Sequence, residues 1–157
     1  MTKFQLINFL KAAYEITLVF LQFFIISLHF FQWEFLPQKQ IIQASPFSYL
    51  LGILIIIIAF IIMLVSIKDL GRNLSPFPRP LNNSNLVNTG IYRFTRHPMY
   101  YSLIFISIGV FIIKSSIYYL FLTISLALII KFKIALEEKY LMNKFKNYLL
   151  YKNDVKF

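Results

Sequence analysis

The sequence predicts an all-α, polytopic membrane protein with about four transmembrane helices and a C-terminal amphipathic helix lying at the membrane surface. Three observations carry that expectation. Of the 157 residues, 59% are hydrophobic and only 14% charged, whereas a soluble domain carries about 25% charge; the mean hydropathy is +0.69. The apolar residues are gathered into runs close to the roughly 20 residues that a helix needs to cross a bilayer. The 16 Lys and Arg residues outnumber the 6 Asp and Glu residues, giving a net charge of +10, and they are concentrated in particular polar segments. The absence of cysteine excludes disulfide frameworks, thiolate zinc sites and cysteine nucleophiles. The longest polar stretch, residues 68–97, is too short for a separate soluble catalytic module. Residues 1–157 are therefore read as one membrane-embedded domain, with any site in the membrane or at its surface.

The first apolar run, Ala12 to Trp33, follows Lys3 and Lys11. It is too long for a signal-peptide core and lacks a small-residue cleavage site, so it is read as a retained helix. Pro37 and Pro46 bracket a connector, and Phe47 to Ile67 forms the cleanest span, uncharged and carrying four consecutive isoleucines at 55–58. From Lys68 to His97 the composition turns polar, with Asn, Ser and Pro among Lys68, Asp69, Arg72, Arg79, Arg93 and Arg96. Pro98 to Ile113 is apolar again, though its 16 residues give about 24 Å of helix against a hydrocarbon core of about 30 Å. Lys114-Ser115-Ser116 allows a tight helical hairpin into a fourth span, Ile117 to Leu136, whose Lys131 and Lys133 can snorkel toward the interface. In the tail, residues 137–157, Leu141, Phe145, Tyr148 and Leu149 approximate a helical stripe among lysines, as in a basic interfacial helix.

In a four-span arrangement Lys3, Lys11, Lys68, Arg72, Arg79, Arg93, Arg96 and the seven lysines from residue 131 onward fall on one side, and only Lys39 and Lys114 on the other. The positive-inside rule then puts both termini and the central loop in the cytoplasm. The excess charge is accounted for by topology and by attraction to anionic membrane lipid. Nothing resembles a base-reading module, so nucleic acid is not an expected partner.

Two polar constellations meet the membrane on that side: Gly90 to Tyr100 (Gly-Ile-Tyr-Arg-Phe-Thr-Arg-His-Pro-Met-Tyr) and Glu137-Glu138-Lys139-Tyr140. Antiparallel packing of the third and fourth helices would bring them together. Pro98 suits the first position of a helix, since it lacks an amide hydrogen and its φ is already helical, which makes His97 the N-cap. The free amides of that turn, with Arg93 and Arg96 nearby, suit a carboxylate or phosphate; equally, Arg93, Arg96 and His97 suit a loop that merely faces lipid headgroups. Two adjacent carboxylates at the end of an apolar helix repel each other and call for a cationic partner. A continuing helix would instead let Glu137 and Glu138 pair at the surface with Lys133, Lys139 or Lys144. His29 has no second ligand at metal spacing and is read as an interfacial or packing residue, so no metal is expected. Glu15, near the cytoplasmic end of the first helix, is accounted for by snorkelling or by pairing with Lys11 at i, i+4.

The stretch Gly71 to Pro80, then Leu86 to Arg93, then Arg96-His97-Pro98-Met99-Tyr100, and finally Glu137-Glu138 with Phe145, Tyr148 and Tyr151, resembles the isoprenylcysteine carboxyl methyltransferase and phospholipid methyltransferase family. These are small integral membrane enzymes that use S-adenosylmethionine. The resemblance implies that Tyr92, Arg93, His97, Pro98, Tyr100, Glu137 and Glu138 fall on cofactor-binding elements, with the preceding loop at the substrate and cofactor entrance. The chemistry of the residues agrees with this. Arg93, His97 and the helix N-terminus can meet the carboxylate of the methyl donor. Glu137 or Glu138 can meet its ammonium or ribose, and Tyr100, Phe94 or Tyr140 its ring. Methyl transfer is an in-line displacement in which the protein mainly aligns and desolvates. An amine acceptor would need a base, for which Glu137 or Glu138 is the candidate. The expected activity is methyl transfer to a lipophilic acceptor: a prenylcysteine-type carboxylate, a phospholipid amine or another small lipophile. A sterol-reductase-like enzyme using NADPH and a non-catalytic membrane scaffold are the alternatives.

Overall fold

The computed structural model describes residues 2–31, 40–41 and 45–156. Its helices are α1 (Lys3–Leu28), α2 (Pro46–Leu70), α3 (Pro98–Lys114), α4 (Ile117–Lys144) and α5 (Tyr148–Asp154), with short 3-10 turns at Gly71–Asn73 and Gly90–Arg93. Among the described residues three helices are long and apolar enough to cross a membrane, and α3 is a shorter apolar helix beside them. The molecule is thus an all-α integral membrane protein, as expected from its composition.

Local signals set the ends of these helices. Thr2 and Gln5 form a capping box that starts α1 nine residues before the apolar run, because Gln, Asn and Lys are no obstacle to a helix. The expected end at Trp33, together with Pro37 and Lys39, lies outside the described residues. Ser45 and Ser48 cap α2, with Pro46 at its first position. The helix hairpin turns at Ser115, which takes the left-handed conformation (φ 48°). Backbone bonding of Ile41 to Ser115 (2.8 Å) brings the link between α1 and α2 to this same end of the bundle. The loop from 71 to 97 and the C-terminal segment therefore share the other end. Here α4 departs from expectation: it runs through Glu137 and Glu138 to Lys144, since Glu, Lys, Leu and Met all favour helix and no Gly or Pro intervenes. In place of one interfacial helix over 137–157 there are the last two turns of α4, a break at Phe145, and the short α5.

Helix α4 is the hub, packing against α1 on one flank and α3 on another, while α2 packs along α3. Tyr119, Leu122, Leu126 and Ile130 form its buried stripe, with Ile25 of α1 and Tyr100 of α3 completing the core. The outer surface is apolar instead of polar: Phe20, Phe23, Leu54, Ile57 and Phe121 are all exposed. In water such a continuous surface would aggregate, but in a bilayer it faces lipid. Because lipid is as apolar as these side chains, helix association depends on close backbone approach and on polar ties. Both are present. Gly52 and Gly109 face each other across α2 and α3 so closely that a Cβ on either would lie 2.8 Å from the other's carbonyl oxygen. His29 Nε2 meets Ser107 Oγ at 2.7 Å, and Ser107 meets Thr123 at 2.8 Å, which joins α1, α3 and α4. His29 is therefore a packing tie, as its isolation in the sequence implied.

Replacing Gly109 with Ala should push α2 off α3 and cost about 1–3 kcal/mol, the range for overpacking a tight contact. A lowered thermal midpoint in detergent is the expected reading.

Candidate active site

At the loop end of the bundle the two polar constellations converge. Pro98 opens α3 and is buried, with His97 as the N-cap residue whose side chain does not cap the helix. His97 reaches across to α4 instead, where its Nε2 lies 3.3 Å from Glu138 Oε1. A carboxylate only accepts, so Nε2 carries the hydrogen. Arg96 Nε donates to the same oxygen at 2.9 Å, and Lys152 Nζ donates to Glu138 Oε2 at 2.6 Å. Arg96 also donates through Nη1 to the carbonyls of Lys152 (3.3 Å) and Val155. One carboxylate thus joins the start of α3, the end of α4 and α5. Its side chain is only 11% exposed and that of Arg96 13%, so these are charge-assisted bonds sheltered from water.

The 3-10 turn at Gly90–Arg93 is anchored from α2. Asp69 Oδ2 accepts from the Ile91 amide at 2.7 Å, and Gly90 at φ 61° allows the approach, since a Cβ there would overlap the Asp69 carboxylate. This sets Tyr92, whose carbonyl accepts from the Tyr151 hydroxyl at 2.6 Å. Burial raises the phenols of Tyr92, Tyr148 and Tyr151, with the neighbouring Glu137 adding to the first and Glu138 to the second; Tyr151 is pushed up to about 12. All three remain neutral hydroxyls at working pH.

Between these elements lies a cleft that is partly open to solvent. Tyr92, His97, Met99, Tyr100 and Glu137 form one side, Leu141, Phe145 and Tyr148 another, and loop residues including Asn73, Phe77, Arg79 and Asn85 the rest. Glu137 and Glu138 have separated. Glu138 is turned into the bonded cluster, whereas Glu137 lines the cleft and, among the described residues, makes no ion pair. His97, Tyr100, Lys133 and Glu138 are its electrostatic neighbours. Successive residues on a helix point about 100° apart, so adjacent glutamates cannot share one role by position.

Of the residues singled out from the sequence, Tyr92, His97, Tyr100 and Glu137 line the cleft. Pro98 supports it from below as the first residue of α3, and Glu138 supports it from the side. Arg93 does not reach it: it is exposed, in a shallow depression with Asn88, Asn147 and Asp154, because the 3-10 turn points it away from Tyr92. Among the rings, Phe94 is 76% exposed, and Tyr140 turns to Glu15, to which its hydroxyl donates. Glu15 itself pairs with Arg79 at 3.0 Å in place of Lys11. Lys133 does not snorkel. It is buried, donating to Gln22 Oε1 at 2.5 Å and the Pro76 carbonyl at 3.0 Å. These pairings join residues 57 to 125 positions apart, and local spacing carries no trace of them. Among the described residues no group of His, Asp and Glu is suited to a metal ion.

The molecule is thus an integral membrane protein whose lipid-facing helices end in a partly open cleft lined by apolar, aromatic and charged side chains. The chain belongs to the phospholipid methyltransferase family, whose model matches residues 47–148, from the start of α2 to Tyr148. It is accordingly a membrane methyltransferase. No curated protein matches the chain.

Replacing Glu138 with Gln should cost about 3 kcal/mol, because it leaves Arg96 and Lys152 without their shared carboxylate in a sheltered site. Limited proteolysis should then cut near α5 well before wild type does.

Proposed function

We propose that residues 1–157 form a single membrane-embedded domain that transfers a methyl group from S-adenosylmethionine to a lipophilic acceptor at the cytoplasmic face. The acceptor is a prenylcysteine-type carboxylate, a phospholipid amine or another small lipophile. The observation that carries this reading is the cleft-facing, unpaired Glu137 beside a neighbour whose charge is fully engaged. The basic residues of the loop and tail share this end of the bundle, which supports a cytoplasmic cleft.

The donor set fits S-adenosylmethionine group by group. Glu137 can accept from an ammonium or from ribose hydroxyls. The start of α3, where Met99 follows Pro98 and no side chain caps the helix, suits a carboxylate. Phe145 offers a ring to adenine. When bound, the sulfonium supplies an activated methyl group. The residues of this chain hold the two reactants in line and keep water from them. For an amine acceptor, Glu137 is also the residue placed to hold the leaving proton. Glu138 acts on this picture through position: by fixing Arg96, His97 and α5 it sets the walls of the cleft. The reductase alternative finds less support, since the Arg96 guanidinium, a natural partner for dinucleotide phosphates, is already bonded to Glu138 and to two carbonyls.

Calorimetric titration of the detergent-purified protein should show S-adenosylhomocysteine binding and no NADPH binding. Glu137→Gln should weaken the former by about tenfold or more, corresponding to about 1.4 kcal/mol, with an unchanged unfolding midpoint. Radiolabelled methyl transfer onto total membrane lipid should be lost in the same variant. Unchanged affinity in Glu137→Gln, or binding of NADPH instead, would overturn the reading.

A further inference from the structure

Lys133 is a charged side chain that the mechanism above does not use. It lies in α4 with 1% of its surface exposed, where an ammonium ion is costly to hold. An ammonium has three hydrogens to satisfy. One goes to Gln22 Oε1 of α1 at 2.5 Å and one to the Pro76 carbonyl of the loop at 3.0 Å. The charge also lies over the ring of Tyr100 in α3, 5.2 Å from its centroid, a cation–π contact. All three partners are neutral, and none cancels the charge.

One helical turn further along α4 stands Glu137, the uncancelled carboxylate of the cleft. Residues four apart on a helix are neighbours on its surface, and Lys133 and Glu137 act on each other electrostatically. They nonetheless form no ion pair, because α1 and the proline-rich loop hold the ammonium away. Tyr100 stands between the two, presenting its ring to Lys133 and its hydroxyl toward Glu137, and its ring stacks on His97 at 5.9 Å. Were the ammonium free to swing, it would occupy the carboxylate that a ligand cation needs. Were it missing, Glu137 would lose that positive neighbour and keep a second carboxylate beside it.

We propose that Lys133 is a positioning residue for Glu137: anchored by Gln22 and Pro76, it holds a fixed positive charge one helical turn from the carboxylate while being kept from closing on it. This rests on the proposed role of Glu137. It adds that α1, through Gln22, takes part in the site although it lies outside the stretch matched by the family model.

The alternative is that Lys133 only ties helices together, and a double-mutant cycle separates the two. Affinity for S-adenosylhomocysteine and the unfolding midpoint are measured in wild type, Lys133→Met, Glu137→Gln and the double variant. Acting through Glu137, Lys133→Met should weaken binding by about tenfold, a coupling of about 1.4 kcal/mol, and cause no further loss once Glu137 is Gln. Equal loss in both backgrounds, or a lowered midpoint with unaltered affinity, would overturn the proposal. Should Lys133→Met fail to fold, Gln22→Leu keeps the ammonium but frees it. Binding should then weaken in the wild-type background and not in Glu137→Gln, and an equal effect in both would again overturn it. If Glu137→Gln alone leaves affinity untouched, the earlier reading of Glu137 fails, a result distinct from a loss confined to Glu137→Gln while Lys133→Met binds as wild type.

Discussion

The arrangement of this end of the molecule depends on the Glu138 carboxylate. Three elements far apart in sequence meet there: Arg96 and His97 before α3, Glu138 in α4 and Lys152 in α5. Lipid provides little driving force to press helices together, so a sheltered multi-donor carboxylate takes the place that an apolar core holds in a soluble domain. The cleft forms where these elements meet, and its loop wall is held separately, by Arg79 on Glu15 and Lys133 on the Pro76 carbonyl.

The two glutamates show how one dipeptide can divide its labour. Placed side by side, they point to different faces of α4; one closes the scaffold and the other is left to the cleft. In the proposed chemistry this separation is useful, since a carboxylate already bonded to two or three cations would have little to offer an incoming ammonium. A carboxylate in a cleft draws functional attention when no ion pair occupies it, and among the described residues Glu137 meets that test where Glu138 does not.

Much of the fold was legible because the bilayer imposes a length and a composition that few other environments demand. The starts of α2, α3 and α4 and the end of α3 stand within a residue of their expected positions, marked by Pro46, Pro98 and the Lys-Ser-Ser turn, while α2 runs three residues past its apolar run to Leu70. The misjudged ends, at the start of α1 and the end of α4, are places where polar residues with good helix propensity continue a helix beyond its apolar run. The meeting of Arg96 and His97 with the acidic pair followed from antiparallel packing of α3 and α4. The pairing of Glu15 with Arg79, the inward turn of Lys133 and the outward turn of Arg93 did not, since each depends on where the long loop folds back. Periodicity along a helix carries no information about that.

The unequal lengths of the paired helices have a consequence for where the protein works. Helix α3 has 17 residues and α4 has 28, about 26 Å and about 42 Å at the usual rise per residue. They turn about one another at a common end, so α4 overshoots α3 by about 16 Å at the other. That overshoot cuts a step into the polar end of the bundle, floored by the first turn of α3 and backed by the last turns of α4. A molecule with an oily end and an ionic end can occupy such a step with each part in its own medium, and two reactants of opposite solubility can meet there without either leaving the phase it prefers.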